Sequence, residues 1–148
     1  VSGLEIGAND YIIKPIAKNE FITRITSLLK LKSLETENTM MNMVFQFGCI
    51  GIMITDAHSS ILKVNQAYLD IFGYTAEEIL GRNPSKISSG QYEQSFYKKM
   101  WDVILTESQW NGEIINRCKD GKIWKGDLSI TAVKNDKNKI THYIGFFY

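Results

Sequence analysis

Cysteine is scarce in this chain of 148 residues, because only Cys49 and Cys118 occur and neither belongs to a Cys-x-x-Cys pair. Two isolated thiols build neither a disulfide framework nor a zinc cluster. So low a cysteine content is typical of proteins in a reducing compartment. We therefore expect a cytoplasmic protein that holds no metal.

Long apolar runs and an excess of one charge are also missing. No stretch approaches the roughly 20 apolar residues that cross a bilayer, and the first residues do not form a basic segment followed by an apolar signal segment. The chain has 17 Lys and Arg against 16 Asp and Glu, a formal charge of +1. Nucleic-acid affinity depends on a basic excess that neutralises phosphates. We therefore expect neither membrane insertion nor nucleic-acid binding.

Proline and low-complexity sequence are rare as well. The chain contains 2 Pro and 11 Gly, and 44% of its residues are hydrophobic. This composition favours a folded chain over a disordered one, and the length allows one ordinary domain with a short appendage.

The N-terminal part has helical periodicity. Apolar residues recur three and four positions apart from residue 18, and polar residues stand between them. They are Phe21, Ile22, Ile25, Leu28, Leu29, Leu31 and Leu34. This pattern predicts an amphipathic helix over residues 18–44.

Two strands and two short helices are predicted next. The segments 50–56 and 61–65 read as strands joined by a polar turn at residues 58–60. Gly73 ends the helix that follows, because glycine adopts the left-handed conformation of a helix cap without strain. Thr75 and Glu78 match a capping box that begins a second short helix. Asn65 is expected to cap the first helix with its side chain.

The remaining sequence predicts one longer helix and three strands. Residues 93–106 have apolar residues at helical spacing, and residues 110–119, 122–134 and 140–148 are rich in β-forming residues. Asp120 and Gly121 are a strong hairpin signal, because both tolerate a positive φ. The order predicts an α+β fold, a five-stranded antiparallel sheet with helices on one face, preceded by the N-terminal amphipathic helix.

Several short blocks resemble the PAS sensor domain. They are Asn65-Gln66-Ala67-Tyr68, the segment from Phe72 to Gly81, Trp110-Asn111-Gly112-Glu113, and Lys119-Asp120-Gly121. They occur in the order and spacing of that family and cover about residues 45–148. The resemblance implies a regulatory module of a signalling protein, in which a small molecule can bind between the sheet and the helices.

The first residues resemble a different family. The segment from Gly7 to Pro15 is similar to the end of a response-regulator receiver domain, and residues 20–31 are similar to that domain's last helix, so the likeness covers about residues 3–34. In that family the lysine matching Lys14 senses a phosphorylated aspartate. The strands that would carry this aspartate lie before Val1, so we expect no phosphorylation of this chain. The resemblances divide the chain into a receiver remnant (1–17), a linker helix (18–44) and a PAS domain (45–148).

The PAS resemblance implies flavin, haem or a metabolite as the bound group. Members that form a light-driven flavin adduct need a Cys after a Gly-Arg-Asn element, and here Pro84 follows Gly81-Arg82-Asn83. Haem-binding members commonly use a His on the long helix, and residues 93–106 contain none. His58 and His142 are too far apart in sequence to suggest a metal pair or a base. The cofactor therefore stays open, and without a nucleophile–base pair we expect no enzyme activity.

A candidate cleft follows from the predicted strand faces and helix. Its residues are Ile52, Ile54, Ile87, Phe96, Met100, Trp101, Asn116, Leu128, Ile130 and Tyr143, of which Asn116 and Tyr143 are polar. The same side chains could instead fill an ordinary core, because a domain of this size needs them for packing. Both interpretations stay open.

The expected function is regulatory. One hypothesis is a PAS module that senses a small ligand and relays its binding to a downstream histidine kinase or cyclic-di-GMP enzyme, in a two-component phosphorelay or a cyclic-di-GMP pathway. The alternative is a ligand-free module for dimerisation and signal relay. We expect a homodimer in either case, because the apolar stripe of the N-terminal helix needs burial.

Overall fold

The computed structural model describes residues 22–23 and 35–148. The chain divides into two compact units, residues 1–41 and 42–148. In the first unit Ile22 and Thr23 are helical, and a helix that we label α1 begins within it and spans Glu35–Phe47. The predicted receiver remnant, residues 1–17, lies outside the described residues. So does most of the predicted linker helix before residue 35.

The second unit is built on a five-stranded antiparallel sheet with strand order β2-β1-β5-β4-β3. The strands are β1 (Gly51–Asp56), β2 (Ile61–Val64), β3 (Gln109–Arg117), β4 (Ile123–Lys134) and β5 (Ile140–Phe147). Between β2 and β3 the chain forms α2 (Gln66–Phe72), α3 (Ala76–Ile79), a 3₁₀ helix (Pro84–Ile87) and α4 (Gln94–Glu107). The predicted α+β fold is confirmed.

Asn65 connects the end of β2 to β1 and to α2. Its Oδ1 accepts hydrogen bonds from the backbone N–H of Ile52 at 2.8 Å and of Tyr68 at 3.0 Å. Its Nδ2 donates to the carbonyl oxygen of Ile50 at 2.8 Å. The predicted cap is confirmed, and the same side chain also satisfies two backbone groups beside β1, which the sequence did not indicate.

The end of α2 and the start of α3 lie where the sequence predicts them. Gly73 has a φ of +78° and its N–H donates to the carbonyl of Leu69, which closes α2. The Thr75 hydroxyl accepts from the Glu78 N–H, and a Glu78 carboxylate oxygen accepts from the Thr75 N–H. These reciprocal bonds are the capping box of α3.

The 3₁₀ helix Pro84–Ile87 is an element that the sequence analysis did not predict. The Asn83 side chain accepts from the Ser85 N–H, and Pro84 occupies the first helical position. Proline suits that position because its missing N–H would have no partner within the helix anyway. This short element matters because it forms one wall of the cavity described below.

Aromatic side chains fill the core on the helix-bearing face of the sheet. Tyr68, Phe72 and Phe147 are buried and their ring centroids lie 4.8 to 5.4 Å apart. Trp124 adds an edge contact to Phe72 at 5.3 Å. Away from this core, the last turns of α1 contact β2, where Lys63 Nζ lies 3.2 Å from Asn42 Oδ1 and 4.8 Å from the centre of the Phe45 ring.

Among the residues that the structure describes, none of the helices has both the length and the apolar character that a bilayer crossing requires.

Candidate ligand cavity

A cavity of about 370 Å³ lies between the sheet, the 3₁₀ helix and α4. Ligand cavities in proteins are typically of about 300 to 1,000 Å³, mostly apolar, with a few well-placed polar groups. Eight large apolar side chains line this one: Met53, Ile87, Met100, Trp101, Ile114, Leu128, Ile130 and Phe147. Eight hydrogen-bonding side chains complete the wall: Thr55, Ser59, Asn83, Ser85, Ser88, Tyr97, Asn116 and Tyr143. Pro84 and Gly145 contribute the remaining surface.

The structure brings most of the predicted cleft together. Seven of the ten residues line the cavity: Ile87, Met100, Trp101, Asn116, Leu128, Ile130 and Tyr143. The two predicted polar residues are both among them.

Ile52 and Ile54 were assigned to the wrong face of β1. In the register with β5, Ile52 pairs with Phe146 and Ile54 with Ile144, while Thr55 pairs with Tyr143. Because successive side chains of a strand point to opposite faces, Ile52 and Ile54 lie on the side of the sheet away from the cavity. β1 is an interior strand with buried residues on both faces, so its apolar pattern does not reveal which face holds the helices.

Phe96 is also absent from the cavity wall. Its ring stacks on Tyr92 with centroids 4.2 Å apart and contacts Trp110 by its edge at 6.2 Å. The prediction placed it on the correct helix, α4, but one residue away from Tyr97, which does line the cavity.

The floor of the cavity is the inner face of β1, β5 and β4. Thr55 and Tyr143 are neighbours on adjacent strands, and so are Met53 and Gly145. A Cβ atom on Gly145 would meet its nearest neighbours, in Phe147, Met53 and Leu128, at 3.4 to 3.7 Å, which is ordinary van der Waals contact. Gly145 therefore leaves a bare stretch of floor that a larger residue could occupy without backbone strain.

Polar contacts hold the 3₁₀ segment against α4 and β3. The hydroxyl groups of Ser88 and Tyr97 lie 3.1 Å apart and share a hydrogen bond. The Asn116 amide is assigned the orientation in which its nitrogen, and not its oxygen, faces the carbonyl oxygens of Ile87 and Ile115 and donates to each at 3.3 Å. These bonds fix two walls of the cavity relative to each other and leave the Asn116 oxygen as an acceptor.

Tyr143 supplies a hydroxyl group at the cavity wall. The residue is 8% exposed, and its ring meets Trp101 edge-on at 5.0 Å, which fixes its orientation. Burial raises the pKa of Tyr143 above its usual value, so the phenol stays protonated near neutral pH. Within the described part of the chain its hydroxyl makes no hydrogen bond, which leaves it as a donor at the cavity.

The exposure of the lining residues indicates the depth of the cavity. Met53, Ile114 and Phe147 are buried, whereas Asn83 and Ser85 are exposed. The opening therefore lies beside the first residues of the 3₁₀ helix, and the apolar end lies deep against the sheet.

The side chains at the cavity limit which bound groups it suits. Neither cysteine lines it, and Cys118 instead donates a hydrogen bond from Sγ to the carbonyl of Ile71 at 3.3 Å. Burial raises the pKa of the Cys118 thiol, which disfavours the reactive thiolate. A cysteine adduct with a flavin therefore has no nucleophile here. No histidine from the described residues lines the cavity either, so a haem would lack the axial ligand that its sensors commonly use.

Sequence reasoning missed several lining residues. The main ones are Met53, Thr55, Ser88, Tyr97, Ile114, Gly145 and Phe147. Ile114 could have been found, because it lies two residues before Asn116 on the same strand face. Thr55 and Gly145 depend on the β1–β5 register, a long-range pairing with no local signal.

Comparisons with known proteins agree with this fold. A model of the PAS domain family matches residues 50–148, more than half of the chain. The nitrogen fixation regulatory protein of Klebsiella pneumoniae is 33% identical over 95 residues, which are 64% of this chain and 19% of that protein. The chain thus spans less than a fifth of that relative's length.

Two solved structures share the fold. The PAS domain of a Colwellia psychrerythraea protein superposes with a TM-score of 0.70 at 17% identity, over 75% of this chain and 94% of that one. An RNA-binding light-oxygen-voltage receptor gives a TM-score of 0.72 at 21% identity, over 80% of this chain and 34% of that one. At such identities the likeness concerns the fold alone. Because the PAS domain model matches residues 50–148, more than half of the chain, the chain belongs to the PAS domain family.

Proposed function

We propose that this chain is a sensory module that binds a small molecule in the cavity and relays the binding to an output domain. The observation that carries the proposal is the cavity itself, whose apolar walls surround the hydroxyl of Tyr143 and the Asn116 amide. Folded interiors contain few voids larger than a water molecule. A space of about 370 Å³ therefore favours a bound ligand over a filled core.

The test combines mass spectrometry with a variant that fills the cavity. The purified protein is measured under native and denaturing conditions, and its absorbance spectrum is recorded on the same sample. We expect an added mass that disappears on denaturation. Gly145→Val should abolish it, because the new side chain rises from the cavity floor.

The matched control is Thr131→Val, which introduces the same residue, valine, at a position outside the cavity lining. Thr131 pairs with Ile144, so it lies on the opposite face of the sheet. This variant should keep the added mass. A folded Gly145→Val protein that retains the same ligand would contradict the proposed site.

The larger protein that we propose is a bacterial signalling protein in the cytoplasm. Residues 3–34 would be the end of a receiver domain, and the helix of residues 18–44 would link it to the PAS domain. The output would be a histidine kinase or a cyclic-di-GMP enzyme, so this chain itself would have no enzyme activity and would bind neither nucleic acid nor membrane. The receiver-like sequence from Gly7 to Pro15 and the regulatory role named for the Klebsiella relative support this assignment.

A second candidate function is dimerisation and relay without a ligand. It is favoured by the exposure of Met40 and Met43, which are three residues apart in α1 and 60% and 57% exposed. Exposed apolar patches commonly mark protein interfaces. This alternative predicts no added mass in the native spectrum and association that depends on protein concentration.

A further inference from the structure

We propose that the cavity takes an uncharged, mostly apolar ligand that accepts a hydrogen bond from the Tyr143 hydroxyl. This inference rests on the proposed ligand-sensing function and adds the chemical class of the ligand. The charge, the hydrogen-bonding groups and the size of the cavity each support it.

The cavity offers no charged partner. Among the described residues, none that lines it is Asp, Glu, Lys, Arg or His. Moving a carboxylate or an ammonium group from water into such a site is costly unless an opposite charge compensates it. A charged ligand would therefore bind much more weakly than a neutral ligand of the same shape.

The nearby charged side chains are held by other groups. Lys86, on the 3₁₀ helix, donates from Nζ to the carbonyl of Glu78 at 3.0 Å. Arg117, on β3 next to Asn116, donates to the carbonyl of Ser89 at 2.8 Å. Asp56, on β1 next to Thr55, accepts from the N–H groups of His58 and Ser60. None of the three lines the cavity, so none is placed to pair with the charge of a ligand there.

Most of the polar side chains deep in the cavity already donate a hydrogen bond to another group of the protein. The Thr55 hydroxyl donates to the carbonyl of Asp56 at 2.9 Å, and the Asn116 nitrogen donates to two carbonyls. Ser88 and Tyr97 share one hydrogen bond, which uses the hydrogen of one hydroxyl and leaves that of the other available. Tyr143 differs, because it is more than nine-tenths buried and its hydroxyl has no partner among the described residues. A ligand that presents an acceptor to this hydroxyl satisfies it, and the rest of the ligand contacts apolar side chains.

The volume sets the size of the ligand. An engineered apolar cavity of about 150 Å³ holds one benzene molecule. The cavity here is about 370 Å³, more than twice as large. It therefore suits a molecule of about two fused rings or an aliphatic chain of similar bulk.

Three probes of nearly identical shape test the proposal. They are 2-acetylnaphthalene, which is neutral and has an acceptor oxygen, 2-isopropenylnaphthalene, which is neutral and has none, and 2-naphthoate, which is an anion. Binding is measured by isothermal titration at neutral pH on protein freed of any co-purified ligand. We expect the acetyl compound to bind about threefold to tenfold more tightly than the isopropenyl compound, the size of one net hydrogen bond. The naphthoate should bind at least about tenfold more weakly than the acetyl compound.

The variant Tyr143→Phe removes only the hydroxyl, and its matched control is Tyr74→Phe, which removes the hydroxyl of a tyrosine outside the cavity lining. Tyr143→Phe should bring the acetyl and isopropenyl compounds to equal affinity, while Tyr74→Phe should keep them apart. Gly145→Val should abolish binding of all probes, which locates them in the cavity. Urea unfolding of each variant verifies that it is folded.

The results that would overturn the ligand class differ from those that would also overturn the ligand-sensing function. Naphthoate that binds as tightly as the acetyl compound, or an affinity gap that persists in folded Tyr143→Phe, would overturn the inference and leave ligand sensing in place. If none of the three probes binds and the native mass spectrum shows no ligand, the inference and the proposed function both fail.

Discussion

At the scale of single residues, the Asn65 side chain forms hydrogen bonds with three backbone groups, those of Ile50, Ile52 and Tyr68. Replacing it with Ala removes the cap of α2 and leaves the Ile52 N–H and the Ile50 carbonyl without partners. A lost cap costs about 1 kcal/mol, and each buried group left unsatisfied costs about 1 to 3 kcal/mol. We expect Asn65→Ala to lower the free energy of unfolding by about 3 kcal/mol in urea titrations.

The control for this prediction is Thr75→Ala, which removes an exposed cap with one hydrogen bond to the Glu78 N–H. It should cost about 1 kcal/mol. Equal losses in the two variants would show that the extra bonds of Asn65 to β1 contribute nothing.

For Tyr68 we expect that removing the polar group does not lower the free energy of unfolding. The residue is fully buried, and its hydroxyl has no hydrogen-bond partner within the described residues. Burial raises the pKa of Tyr68, so the group is neutral but still desolvated. Removing an unsatisfied buried polar group recovers its desolvation cost. We expect Tyr68→Phe to leave the free energy of unfolding unchanged or to raise it by up to about 1 kcal/mol. A clear loss of stability in urea titrations would reveal a partner for the hydroxyl.

At the scale of secondary-structure elements, Glu78 ties α3 to the turn between β3 and β4. Its carboxylate lies 2.5 Å from Lys119 Nζ and also accepts from the Thr75 N–H. The bond with Lys119, followed by the one with Thr75, holds the pKa of Glu78 at about 2, below its ordinary value of 4.5. A lowered folded-state pKa stabilises the fold above the unfolded-state pKa, and this stabilisation is lost as the pH falls through the folded-state value.

The variant Glu78→Gln tests this pH dependence. Wild type should be more stable than the variant above about pH 5, and the difference should shrink between pH 4.5 and 2, where the wild-type carboxylate becomes protonated. Urea unfolding at a series of pH values measures it. Glu77→Gln, at the exposed neighbouring position, controls for the loss of one negative charge. A difference independent of pH would exclude the ion pair as its cause.

The helices and strands differ in how far the sequence predicts them, and local features are predicted better than long-range ones. The capping box at Thr75, the left-handed Gly73 and the Asn65 cap were predictable, because each depends on residues within three or four positions. The strand order and the faces of β1 were not, since they depend on pairing between β1 and β5, about 90 residues apart. Seven cavity residues were found from strand alternation and helix spacing, and Ile52 and Ile54 were misassigned where both faces of a strand are buried.

At the scale of the whole molecule, the proposals for ligand binding and for dimerisation concern different parts of the chain. The cavity is built by residues 53–147, whereas the proposed dimer helix spans residues 18–44. In the described part of this range Met40 and Met43 are exposed, while Leu28 and Leu31 of the predicted apolar stripe lie outside the described residues. If this stripe holds two copies together, a pair of carboxylates placed in it should separate them, because burying unpaired charges is costly.

The double variant Leu28→Glu, Leu31→Glu therefore tests the dimer by multi-angle light scattering over a range of concentrations. Wild type should have twice the chain mass of 16.9 kDa, and the variant should have the mass of one chain. Leu105→Glu is the control, because Leu105 is 56% exposed on α4, an element outside the proposed dimer helix, and should leave the mass unchanged. A double variant that keeps the dimer mass would rule out association through the stripe. If the monomeric variant still carries the added mass of a ligand, the PAS domain binds its ligand as a single copy, and dimerisation then belongs to the relay step.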